Sequence, residues 1–189
     1  MKYLFTLFAI LFGIFVSAQA KPTKEETVKY IKNIVDRFDL TYGAGETSFL
    51  KHYNFSNKIA FQDCYVVIEQ QLVYNDDWKS GYKSDFVRVV TKSFDLKDIE
   101  QVGEITFSPE KESTTARYGI TFHSKSGEKL IEENTSTKGI ENNRDANRNN
   151  SESESETFLF VELADREKLI KAFNHLRKLC NAPEPISFD

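Results

Sequence analysis

Val28, Ile31, Ile34, Val35 and Phe38 recur at helical spacing and share one apolar face. Pro22-Thr23-Lys24-Glu25-Glu26 precedes them. Thr23 and Glu26 have the capping-box spacing, in which each side chain satisfies a free backbone N–H of the other. The pattern predicts an amphipathic helix over 23–39, ended by Tyr42-Gly43-Ala44-Gly45. From residue 47 the period drops to two. Cys64, Val66, Ile68, Leu72 and Tyr74 fall on one face of a long strand, with Glu69 and Gln71 on the other. Asn75-Asp76-Asp77 reads as a turn, and Asp85–Phe94 as the next strand, its Val87 and Val89 opposing Arg88 and Lys92. Phe94–Val102 is a short bridge into a strand at Glu104–Phe107. Tyr118, Ile120 and Phe122 alternate with polar or small residues, and Ser126-Gly127 predicts a hairpin into Glu128–Ile131. Thr157–Leu163 is the last strand.

Glu141–Glu156 (ENNRDANRNNSESESE) has no apolar side chain larger than alanine. Such a segment buries too little to offset the entropy of ordering, so a disordered acidic loop is expected at about 134–156. The alternative is an acidic loop that collects metal or a partner. A closing helix follows, with Asp165 as its expected N-cap. Leu169, Ile170, Phe173, Leu176, Leu179 and Cys180 form its apolar stripe. Lys168, Lys171, Arg177 and Lys178 are assigned to the opposite face, and Asn181 and Pro183 stop it.

The first twenty residues follow a different logic. Lys2 is a positive start, Tyr3–Val16 is an apolar run, and Ala18-Gln19-Ala20 fits an A-x-A cleavage site. Val16-Ser17-Ala18 fits one slightly earlier, so cleavage is expected after Ala18 or Ala20. The competing reading is a membrane anchor, but a spanning helix needs about 20 apolar residues. Residues 1–20 are therefore read as a cleaved signal peptide, with export to the periplasm or beyond and no stable anchor after cleavage. Residues 21–189 are read as one α+β domain.

Composition sharpens this picture at three points. Among 189 residues there are 16 Phe and 8 Tyr against one Trp, which favours pleated, half-buried surfaces. The net charge of −4 argues against a nucleic-acid partner. Two cysteines are too few for a disulfide-built scaffold or a four-cysteine zinc site.

Motifs for chemistry are sparse. His52, His123 and His175 show no metal-ligand spacing. Cys180 and His175 sit five apart on a helix, about 140° around its axis, and do not make a nucleophile pair. Asp76-Asp77 and Asp95/Asp98 read as turn residues. No catalytic, cofactor-binding or metal-ligating residue is assigned and no cofactor is expected. The expected function is a non-catalytic binding module of the envelope or the medium, with a protein, peptide or lipid partner. The alternative is a hydrolase built from scattered carboxylates and histidines, since carboxylate pairs meet only in three dimensions.

The Phe94–Val102 segment entering a strand and the Leu163–Cys180 strand-to-helix junction resemble the pleckstrin-homology-like fold. Ala172–Cys180 (AFNHLRKLC) and Asp63–Ile68 (DCYVVI) also resemble a set of small exported proteins of Bacteroidetes-type bacteria without assigned activity. The resemblance implies an antiparallel barrel or sandwich with an N-terminal helix and a C-terminal capping helix, and an envelope location. Lys51, His52 and Lys58 lie where phosphoinositide-binding members place basic side chains. No arginine joins them and the chain is acidic, so that ligand class is not carried over. In the implied barrel the closing helix covers one opening of the sheets. A disulfide between Cys64 and Cys180, both on core-directed faces, is then expected in an oxidising compartment. Two separate buried thiols are the alternative.

Overall fold

The computed structural model describes residues 21–43, 51–76, 86–107, 117–139 and 150–183. The expected signal peptide and residues 140–149 of the expected loop lie outside these. The described elements run α1 (Lys24–Val35), β1 (Asp39–Gly43), β2 (Lys51–Gln62), β3 (Tyr65–Asp76), β4 (Phe86–Asp95), β5 (Ile99–Phe107), β6 (Arg117–Ser124), β7 (Ile131–Gly139), β8 (Asn150–Glu154), β9 (Glu156–Phe160) and α2 (Leu163–Leu179). The class is α+β, with two antiparallel sheets and two helices. One sheet has the order β1-β2-β3-β4-β7-β8 and the other β5-β6-β9.

The capping box forms as expected: Glu26 N–H donates to Thr23 Oγ1 at 3.2 Å and Thr23 N–H to Glu26 Oε2 at 2.8 Å. The helix ends earlier than its apolar spacing predicts. Asp36 is its C-cap and accepts from the Ile59 N–H at 2.9 Å, so the last turn is tied to β2. Residues 39–43 then pair with β2, from Asp39 opposite Ser56 to Gly43 opposite His52.

Among the described elements the chain changes sheet three times, between β4 and β5, between β6 and β7, and between β8 and β9. A 3-10 turn, Leu96–Asp98, carries the chain from β4 to β5, and Asp95 caps it by accepting from the Lys97 N–H at 2.9 Å. Ser155 alone separates β8 from β9, and its carbonyl accepts from both the N–H and the hydroxyl of Ser124. Such switches are how two packed sheets share strands.

Three expectations need correction here. Ser126-Gly127 does turn the chain, but β6 and β7 lie in different sheets and form no hairpin. The local signal is a turn, and only the pairing shows where the next strand goes. The polar stretch is not all loop: residues 134–139 belong to β7, and β8 pairs with it from Ile131 opposite Glu154 to Thr135 opposite Asn150. Backbone pairing at a sheet edge needs no apolar side chain, and a charged edge resists further pairing. Finally, Asp165 is not the N-cap. Glu162 is, and Asp165 lies within the first turn, 2.6 Å from the Arg37 guanidinium.

The core joins the layers. Val66, Ile68 and Phe94 come from the large sheet, Ile120, Phe122 and Leu159 from the small one. Ile31 and Val35 of α1 and Leu169, Phe173 and Leu176 of α2 close it. Phe122 is the hinge of the packing: its ring lies 5.0 Å from Phe94 and 4.9 Å, edge-on, from Phe173.

Polar side chains are buried beside β9, the end strand of the small sheet among the described elements. Asn57 Nδ2 donates to the Phe160 carbonyl of β9 at 2.8 Å. Lys92, 3% exposed, reaches the Phe158 carbonyl at 3.4 Å and lies over the Phe158 ring. Its partner charge is Glu133, 3.7 Å away. Burial pushes the Lys92 ammonium below the ordinary lysine value, and Glu133 pulls it back up in part. Two variants should therefore differ. Asn57→Ala removes the donor to the Phe160 carbonyl and the acceptor facing buried Gln70, and is expected to cost about 1–3 kcal/mol. Lys92→Met made together with Glu133→Gln replaces the desolvated ion pair by uncharged chains of similar volume and is expected to stay within about 1 kcal/mol of native. Urea titrations of both variants check the contrast.

Candidate functional site

The sequence expectation that can be placed is the cysteine pair. Cys64 and Cys180 form a disulfide, with Cα atoms 5.8 Å apart. The strand assignment that led to it was one residue too generous. Gln62 pairs with Tyr65, so Asp63 and Cys64 form a two-residue turn rather than part of β3. Asp63 takes φ 57°, a left-handed conformation that aspartate tolerates better than most residues. Cys180 is the C-cap of α2. The bond therefore fastens the β2–β3 turn to the end of the last helix.

Beside this bond an open cleft of about 420 Å3 lies between α1 and the β2–β3 turn. Two rows of α1 build one wall, because residues four apart stack on one helix face. Lys24, Val28 and Lys32 form one row, and Glu25, Lys29 and Asn33 the other. Phe61 and Asp63 close it from the strand side. Val28 and Phe61 are the apolar members, both packed against the core. The Phe61 ring sits 6.4 Å from that of Phe173.

The three ammonium groups differ in availability. Lys24 is hydrogen-bonded to Asp63, and its Nζ lies 3.2 Å from Cys64 Sγ. That contact holds the Asp63 carboxyl below its ordinary value. Lys32 pairs with Asp36 at 3.4 Å and donates to the Ile59 carbonyl. Lys29 is exposed and has no ion pair among the described residues.

No protein family, curated protein or solved structure matches the chain.

The other residues singled out by sequence stand apart from the cleft. His123 on β6 contacts Thr121 Oγ1 at 3.1 Å and lies 3.6 Å from Glu156. His175 on α2 contacts the Pro22 carbonyl at 2.8 Å. His52 is on β2, opposite Asn75. Lys58 is exposed on the same strand, and the side chains of Lys51 and His52 lie outside the described set. Asp95 and Asp98 are turn residues, as their sequence context suggests. Among the described residues no group of three or more His, Cys, Asp or Glu side chains is placed to hold a metal ion. None of the described helices is long and apolar enough to cross a membrane.

Sequence reading missed the cleft because its wall looked like an ordinary solvated helix face. Glu25, Lys29 and Asn33 carry no motif. Only the pairing of β2 with β3 brings Phe61 and Asp63 beside them.

Proposed function

We propose that the chain is an exported, non-catalytic binding module whose binding face is the cleft between α1 and the β2–β3 turn. The carrying observation is an apolar floor, Val28 and Phe61, bordered by three lysines in an otherwise acidic chain. Lys24 is paired with Asp63 and Lys32 with Asp36, which leaves Lys29 as the cleft ammonium with no ion pair among the described residues. The fitting ligand is a peptide segment that offers a carboxylate to Lys29 and an aliphatic or aromatic side chain to Phe61. A fixed apolar surface with a few polar contacts is the usual composition of such sites.

Export rests on the Lys2, apolar run and A-x-A arrangement of residues 1–20. The Cys64–Cys180 bond supports it, because disulfides persist mainly in oxidising compartments. In this reading the sandwich is pleckstrin-homology-like. The chain is then a relative of the small exported Bacteroidetes-type proteins it resembles at Asp63–Ile68 and Ala172–Cys180.

The test uses the folded chain and a panel of blocked pentapeptides that pair Asp or Lys with Leu or Phe. Amide shifts are followed by NMR during titration. Asp/Phe and Asp/Leu peptides are expected to move Val28, Lys29 and Phe61, and Lys29→Glu should abolish the effect. Equal shifts with the lysine peptides, or none with any peptide, would contradict the reading.

A further inference from the structure

We propose that the Cys64–Cys180 bond is a thiol-exchange site for small dithiols, in which Cys64 is the departing sulfur and Lys24 holds the charge it acquires. This inference does not rest on the binding role of the cleft. It rests on the unlike surroundings of the two sulfurs. Lys24 Nζ lies 3.2 Å from Cys64 Sγ, so an ammonium faces any negative charge that develops there. Cys180 closes α2, and its N–H bonds to the Leu176 and Arg177 carbonyls. It thus stands at the negative end of a 17-residue helix dipole. A neighbouring cation lowers a thiol's pKa, and a lower-pKa sulfur leaves faster in exchange. Charge is therefore favoured on Cys64 and disfavoured on Cys180.

The balanced sequence has two steps. A thiolate of the dithiol gives its electron pair to Cys180 Sγ, forming a mixed disulfide. The Cys64–Cys180 bond breaks, and its pair leaves on Cys64 as a thiolate beside Lys24. The second thiol of the reductant then loses its proton and attacks its own partner sulfur. Cys180 departs and takes up a proton, and the dithiol ends as a cyclic disulfide. Two electrons pass from reductant to protein. Both sulfurs are buried, Cys64 at 5% and Cys180 at 1% exposure, so the reagent enters when the two-residue Asp63–Cys64 turn opens.

Asp63 supplies the discriminating control, because it competes for the same ammonium. If Lys24 acts through its charge, the two residues have opposite effects. If the pair merely roofs the bond, removing either residue uncovers it. The experiment measures the rate at which dithiothreitol reduces the oxidised chain, read by alkylation and mass spectrometry. Lys24→Met is expected to slow reduction by about three- to tenfold. Asp63→Asn, which keeps the left-handed turn accessible, is expected to speed it by about two- to fivefold. Lys24→Arg should stay within about twofold of native. Faster reduction in both Lys24→Met and Asp63→Asn, or no change in either, overturns the proposal. A second reading needs no substitution: a brief pulse of 2-mercaptoethanol, acid quench and alkylation. The first free thiol is expected on Cys64 with the adduct on Cys180, and the reverse assignment overturns the proposal.

Discussion

Replacing both Cys64 and Cys180 by alanine is expected to lower the unfolding free energy by about 3–5 kcal/mol. The bond spans a sequence separation of 116, and cross-linking a loop of that size removes about 4–5 kcal/mol of chain entropy from the unfolded state. The lower end allows for residual structure in the unfolded chain. In a domain of this size the loss corresponds to a fall in melting temperature of roughly 10 °C. Alanine suits both positions because the cysteines are buried, and a serine would add an unmet hydroxyl. The hairpin tip and the end of α2 should loosen first, as faster amide exchange at Tyr65 and Leu179. A variant as stable as native, by calorimetry under non-reducing conditions, would show that the two ends are held by packing alone.

The second large effect is expected at Arg177. It is 2% exposed, and its guanidinium is a fork into backbone. Nε donates to the Ile99 carbonyl at 2.9 Å, and Nη2 to the Glu100 carbonyl at 2.7 Å and the Pro183 carbonyl at 2.9 Å. Nη1 donates to Asn174 Oδ1 at 3.1 Å. The register is irregular at those strand carbonyls. The pairing of β5 with β6 steps from Ile99 opposite Ser124 to Gln101 opposite His123, leaving Glu100 in a bulge. Arg177 donates to both carbonyls at this irregularity, and its charge also suits the end of α2. Arg177→Met keeps the apolar stem and removes every donor, so it should cost about 3–5 kcal/mol. Arg177→Lys keeps the charge without the fork and should recover only part of that loss. Denaturant unfolding of the two variants gives the comparison, and equal stability of native and Arg177→Met would remove the fork from the account.

Arg177 also shows where sequence reading stops. Helical spacing places it four residues after Phe173, at the border of the apolar stripe, and its charge alone assigns it to solvent. The bulge at Glu100 makes it a buried residue, and a bulge has no signature in Ile99-Glu100-Gln101. The opposite failure occurs at β8. Its Ser/Glu composition reads as disorder, because side-chain burial is the signal being read, whereas an edge strand is held by backbone pairing to β7. Alternation performed well where one face is covered: Val66 and Ile68, and Ile120 and Phe122, are each fully buried. The cysteine pair was legible for a related reason. Two core-directed thiols have few other partners once export is expected, and the pairing survived a misplacement of Cys64 into the strand. The cleft was not legible, since Phe61 and Asp63, which close it, come beside α1 only in the tertiary structure.

Export and a closed Cys64–Cys180 bond are read together by one mass measurement. The 189-residue chain is expressed in a Gram-negative bacterium, fractionated without reductant, and weighed intact. The expected result is a periplasmic species that begins at Gln19 or Lys21 and lacks the two hydrogens of a free thiol pair. A chain that retains Met1 in the membrane fraction, or one that carries both thiols reduced after reaching the periplasm, would contradict it.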